Sequence, residues 1–260
     1  MAAVRALSFT VVAMALAACG GNSNSTMNTG PDTTPANAAY VCVGQALPTT
    51  AASTVTISGT VTEINVSPMA VAGATVEAFN NGNATALAST TTASDGSYSI
   101  SVSTGGAPLD GYLKISKTNY DTTYLYPSAP LVASVSGAKI VLLTPGELGT
   151  LAFVANVTLS PTNGLVVLTV VDCTGKVVSG ATVSSSPAAG TTRYNSGGAP
   201  NQSATATDVD GLAYLLNVPA GNVAVQGMSS AHMLRSHSLD ARAGAITQTI
   251  LAPGPTTPPE

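Results

Sequence analysis

Apolar and polar residues alternate along most of this chain with a period of two. Val55, Ile57 and Val61 are interleaved with Thr56, Ser58, Thr60 and Thr62, the spacing that turns one face of a strand to a core and the other to water. From Ser97 to Ser103, Tyr98, Ile100 and Val102 face one way and four serines the other. Further short strands are expected at 74–80, 86–92, 111–117, 122–126 and 139–143, and then at 165–171, 181–186, 203–207, 212–218, 222–228, 232–237 and 245–251. Gly59 interrupts the apolar face of the first strand and predicts a bulge. Residues 165–171 are apolar on both faces, so that strand is expected to be central or covered on both sides. No helix-length segments separate these strands, and the pattern predicts an all-β, antiparallel sandwich architecture.

One stretch breaks the period of two. Thr144-Pro145-Gly146-Glu147 has the form of a capping box with proline at the first helical position, and Leu148, Leu151, Ala152 and Ala155 share one helical face. A helix with an apolar stripe must bury it, so a packed connector is expected. On either side of it the chain repeats itself. Gly73-Ala74-Thr75-Val76 and the later Thr92-Ala93-Ser94-Asp95-Gly96-Ser97-Tyr98 return as Gly180-Ala181-Thr182-Val183 and Thr207-Asp208-Val209-Asp210-Gly211-Leu212-Ala213. The repeat predicts two tandem sandwiches, at 54–143 and 164–252, joined by a helical connector at 144–163. The Gly-rich excursion from Pro187 to Gln202 is longer than its counterpart, and a binding function would sit there first. Residues 253–260 read as a Pro-rich, frayed tail.

The beginning of the chain reads as an address. Residues 1–18 hold one basic residue, Arg5, then an uncharged apolar run too short to span a bilayer, as in a secretory signal. The run ends in Leu16-Ala17-Ala18-Cys19, which resembles the bacterial lipobox. That resemblance implies cleavage before Cys19 and a diacylglyceryl group on its thiol, so that the membrane is reached through lipid alone. Gly20 after the cysteine implies, by the same resemblance, the outer membrane, facing the periplasm or the surface. Residues 19–53 form a tether, disordered over 20–39, with Tyr40-Val41-Cys42-Val43 as the point where the chain docks on the body. Removing the signal takes the formal net charge from −4 to −5 by the loss of Arg5. A mildly acidic chain with 8% charged residues has no electrostatic footprint for nucleic acid. With Cys19 lipidated, Cys42 and Cys173 remain, an even number for an oxidising compartment. A disulfide between them is the expectation, worth roughly 4–5 kcal/mol for so long a loop. The alternative is two separate thiols.

Gly59-Thr60-Val61-Thr62, then Val71-Ala72-Gly73-Ala74-Thr75-Val76, then Thr92 to Tyr98 resembles the carboxypeptidase regulatory-like domain, a transthyretin-like, Ig-like seven-stranded sandwich. The second copy, from Val171 through Cys173, Gly175 and Gly180 to Val183 with Asp210-Gly211, is similar to it. The resemblance covers roughly 180 residues and is one of architecture, because glycine at the start of a strand and Asp-Gly at a turn serve backbone geometry. It implies support, adhesion or ligand binding, since such modules accompany zinc peptidases, outer-membrane receptors and surface lipoproteins.

The candidate chemistry is sparse. Zinc hydrolysis needs three ligands around an open position, and the chain has two histidines, His232 and His237, expected on opposite faces of one strand. The related intradiol dioxygenases share the Gly-Ala-x-Val and Asp-Gly pattern and bind iron with two Tyr and two His, the latter as His-x-His. Tyr194 would be a ligand by that resemblance, but His-x-His is missing. Asp208-Val209-Asp210-Gly211 opens like a calcium loop without its later ligands, and an Asp-Gly turn accounts for it. Gly175-Lys176 is followed by Val177 rather than Ser or Thr, and no Gly-x-Ser-x-Gly occurs. Four of the eight tyrosines, Tyr112, Tyr120, Tyr124 and Tyr126, fall within fifteen residues. They are the candidate ligand-binding residues, able to stack on sugars or anchor a protein, the other reading being core packing with one hydroxyl in a corner-type hydrogen bond. The sequence thus points to a non-catalytic envelope lipoprotein, needing no cofactor or metal, that serves as a structural, adhesive or binding module for a glycan or an envelope protein. A carbohydrate-binding surface protein is the first alternative and a metal-dependent enzyme, intradiol dioxygenase-like, the second.

Overall fold

A computed structural model of the protein describes residues 38–64 and 68–254. Residues 1–37, with the signal, Cys19 and most of the tether, lie outside the described residues, as do 65–67 and 255–260. The first half is built from β1 (Thr54–Glu63), β2 (Met69–Ala70), β3 (Thr75–Asn80), β4 (Ala88–Thr91), β5 (Ser97–Ser103), β6 (Gly111–Ser116), β7 (Thr123–Tyr126) and β8 (Val135–Leu142). β1 lies between β5 and β8 and carries β2 at its end, while β4, β3, β6 and β7 follow one another in a second layer. Val55, Ile57, Val61, Tyr98, Ile100 and Val102 from one layer meet Val76, Ala78, Leu113, Ile115 and Leu125 from the other in one buried cluster. Ser99, Ser101 and Ser103 stay outside. The bulge expected at Gly59 is present as a register shift against β8, where a Cβ would lie 1.7 Å from the Ala138 carbonyl oxygen.

The helix α1 spans Pro145–Val154, and both arms of its capping box form, Thr144 with the Glu147 amide and Glu147 with the Thr144 amide. Its stripe is buried through Leu151, Ala152 and Ala155. The second half comprises β9 (Asn163–Val170), β10 (Thr182–Ser186), β11 (Thr191–Ser196), β12 (Ala199–Asn201), β13 (Leu212–Pro219), β14 (Gly221–Ser229), β15 (His232–Met233), β16 (His237–Ala241) and β17 (Ile246–Leu251). Its pairings repeat those of the first half. β9 lies antiparallel to β13 and parallel to β17, as β1 lies to β5 and β8, and β14 lies antiparallel to β10 and β16, as β6 lies to β3 and β7. The repeated motif is a repeated set of bonds. The Thr92 hydroxyl donates to the Val71 carbonyl and accepts from the Ala74 amide, at 2.6 and 2.9 Å, and Thr207 does the same with Val178 and Ala181, at 2.7 and 3.0 Å. Gly96 and Gly211 both take positive φ at places where a Cβ would press on the Val61 and Val170 carbonyls.

Four expectations are corrected. The sandwiches are not wholly antiparallel, because the chain crosses to the other layer and returns, which brings the first and last strands of each half side by side in the same direction. The halves are joined by more than a helix, since β7 pairs in parallel with β17 and makes one nine-stranded sheet of order β12-β11-β13-β9-β17-β7-β6-β3-β4. The excursion 187–202 holds the β11–β12 hairpin, closed by Gly197 and Gly198 at positive φ, as a two-residue turn of that kind requires. No strand runs at 203–207, and the one expected at 232–237 is the two-residue β15 followed by β16. The first small sheet and α1 cover one face of the long sheet, and β10, β14 and β16 cover the opposite face at its other end. Among the described residues no helix is long and apolar enough to cross a membrane.

Candidate functional site

Leu113 and Leu125 point into the core of the first half, so by strand alternation Tyr112, Tyr124 and Tyr126 project from the other face of β6 and β7. There they meet the second half. Tyr112 stacks on Phe79 and on Tyr126, with ring centres 5.3 and 5.0 Å away, and meets Tyr124 edge-on at 5.9 Å. Arg242, just after β16, lays its guanidinium 3.9 Å from the Tyr124 ring centre and 4.7 Å from that of Tyr112. It also donates to the Tyr126 hydroxyl at 3.2 Å, which accepts in addition from the Asp240 amide at 3.3 Å. Burial raises the pKa of Tyr126 and the Arg242 bond works against that rise. One cation and three rings from opposite halves thus form a half-buried joint. Arg242 and the neighbouring rings occupy faces that a sugar would need for stacking. Tyr120 stands apart. Its hydroxyl donates to the Glu63 carboxylate at 2.6 Å, and that bond, followed by burial, pushes its pKa up to about 12.

Beside the joint a cleft of about 350 Å³ opens between the halves. Asn81, Asp110 and Pro127 line it from the first half, Arg235 and His237 from the second, and Leu47 from the strap that leads from the disulfide to β1. Asp110 accepts from the Asn81 amide at 2.7 Å. In Arg235 the Nη2 atom, and in His237 the Nδ1 atom, is buried without a hydrogen-bond partner among the described residues. Burial and then the Arg235 charge hold the His237 imidazole down to about 4. Sequence reasoning passed over Arg235 and Asp110, because neither sits in a motif; the only signal is that two of the eight basic residues, Arg235 and Arg242, flank His237.

Cys42 and Cys173 are joined by a disulfide across 131 residues. It fastens the start of the described chain to the far half, where the Tyr40 ring stacks on His232 at 4.2 Å and its hydroxyl bonds Ser229 at 2.6 Å. His232 and His237 therefore lie on different strands with different partners. Tyr194 is buried, its hydroxyl engaged with the Val183 amide at 2.9 Å. Asp208 accepts from the Gly197 amide and Asp210 from Asn195 and the Leu212 amide, so both carboxylates brace the β11–β12 hairpin. Among the described residues no three His, Cys, Asp or Glu side chains gather where they could hold a metal ion.

No protein-family model matches the chain, and no curated protein matches it. Among solved structures, a type II cohesin–X-dockerin complex of Acetivibrio cellulolyticus, a C-terminal interface mutant, is 26% identical over 34% of this chain and 56% of that chain, with a TM-score of 0.26. The Bacillus anthracis TIE protein is 11% identical over 77% of this chain and 34% of its own, at a TM-score of 0.27. A shaft pilin of Lactobacillus rhamnosus GG is 12% identical over 81% of this chain and 100% of its own, at 0.23. This chain therefore spans little more than half the length of the first of these and about a third of the second. At such TM-scores none of these likenesses bears on function.

Proposed function

We propose that the protein is a non-catalytic module of a bacterial cell envelope, anchored by lipid on Cys19 and made of two transthyretin-like, carboxypeptidase regulatory-like sandwiches that act as one body to support, adhere or bind. One observation carries this reading: the halves are fused by a continuous sheet, a cation–aromatic joint and a disulfide that ties the tether side of the chain to the far half. Such a body transmits force from its anchor without bending between its halves, which suits a spacer or adhesive element and would serve a hinged enzyme poorly. The disulfide fits an oxidising compartment, and the lipobox-like segment supplies the anchor. The signal, the lipid and the outer-membrane address rest on the sequence alone. Intact mass of the protein purified from its own membranes tests the reading. A chain beginning at Cys19 and carrying a diacylglyceryl group is expected, and an unmodified soluble chain would overturn it.

A further inference from the structure

We propose that the cleft between the halves binds a sugar acid of the uronate type, its carboxylate on the Arg235 guanidinium and its hydroxyls bonded to His237 Nδ1 and Asp110. The inference goes beyond the envelope reading and does not rest on it. A buried guanidinium nitrogen without an acceptor is rare, since buried polar groups are nearly always satisfied. The Arg235 backbone amide is bonded to the Ala252 carbonyl at 2.9 Å, and its stem runs beside Gly254, where a Cβ would stand 3.1 Å from Cδ. Asp110, on the opposite wall, makes no ion pair with it among the described residues, so the two charges face one cleft without closing it. Arg235 supplies the planar, bidentate donor pair that a carboxylate fits.

His237 and Asp110 supply the second half of the ligand. The 2.7 Å contact of His237 Nε2 with the Thr249 hydroxyl can run in either direction with the tautomer of the ring, and Nδ1 keeps one hydrogen-bonding position that a ligand hydroxyl, both donor and acceptor, can meet. The acceptor oxygens of Asp110 across the cleft call for donors on the ligand and repel a second anionic group. A group that combines one carboxylate with several hydroxyls meets both walls. The cleft, at about 350 Å³, falls in the range of small-molecule sites, and such sites favour junctions between packed units.

The test is titration of the purified chain, followed by amide NMR and calorimetry, with glucuronate and galacturonate as probes and with glucose and acetate as controls that each keep only one of the two features. Saturable binding of a uronate, with shifts centred on Arg235 and His237, is expected. Glucose and acetate should bind at least about tenfold more weakly, about 1.4 kcal/mol. Arg235→Gln and, on the other wall, Asp110→Asn should each weaken the uronate about tenfold or more, while Lys114→Gln, outside the cleft, leaves it unchanged; melting curves confirm that each variant folds. An oligouronate that binds as tightly as the monomer identifies a glycan end as the source, and one that does not bind identifies the free acid. No saturable shift with either uronate, equal binding of glucose, or unchanged binding by folded Arg235→Gln overturns the proposal, and none of these outcomes touches the mass of the lipidated chain.

Discussion

The side-chain amide of Gln248 closes on the backbone of Val141, its nitrogen donating to the Val141 carbonyl at 2.6 Å and its oxygen accepting from the Val141 amide at 3.3 Å. Gln248 comes from β17, in the second half, and Val141 from β8, in the first. The amide stands where a neighbouring strand would, capping backbone groups on the side of β8 away from β1. Gln248→Leu keeps the volume and leaves both Val141 groups buried and unpaired, at about 1–3 kcal/mol. Urea unfolding of the variant measures this directly, and a loss within error of zero would mean that water can replace the amide.

Arg242 and its three rings make a second joint. Arg242→Ala removes a cation from two ring faces and a donor from Tyr126, with an expected loss of about 1–3 kcal/mol. Tyr126→Phe, which removes only an acceptor shared by Arg242 and the Asp240 amide, should cost less. If Tyr126→Phe costs as much as Arg242→Ala, the ring contacts contribute little and the hydroxyl is the centre of the joint.

Thr92 and Thr207 occupy the same place in the two copies of the motif, both buried and both bridging a carbonyl and an amide. Thr92→Val and Thr207→Val are therefore expected to destabilise by similar amounts, about 1–3 kcal/mol each. Thr→Ser at either site keeps the hydroxyl and should recover most of the loss. Unequal effects, with one site silent, would show that the shared geometry does not have a shared energetic role.

His237 predicts a pH dependence. Its folded pKa is held down to about 4 by burial and then by Arg235, against about 6.5 when unfolded. The unfolded chain therefore binds more protons between these values, and stability falls as pH drops from about 6.5 toward 4 and levels off below. His237→Gln should flatten that part of the profile. Denaturation midpoints from pH 7 to pH 4 decide it, and an identical slope in the variant would assign the loss to other groups.

Much of this fold is legible in the sequence because its cause is local. The period of two fixed β1 and β5 to the residue or nearly so, the Thr144–Glu147 box marked α1, and the glycines at 96 and 211 are required by backbone that no Cβ could clear. The fusion of the halves was not legible, since it is made by main-chain pairing between β7 and β17, which leaves no side-chain pattern. The polar run Thr247-Gln248-Thr249 in β17 reads as solvent-facing, yet all three are buried because that strand is covered on both faces. The β11–β12 hairpin has the pattern of a loop although Gly197-Gly198 is a turn of the favoured type, because strands this short and polar carry no alternation. The tyrosines form a visible group in the sequence, but their partner Arg242 lies more than a hundred residues away, and only the fold joins them.

The parallel pairing of β7 with β17 uses one sheet margin of each half, and a bare margin of that kind invites unwanted association. Cutting the chain between its halves would therefore expose, on both fragments, a line of backbone that is paired in the intact protein, and the fragments should self-associate more readily than the whole.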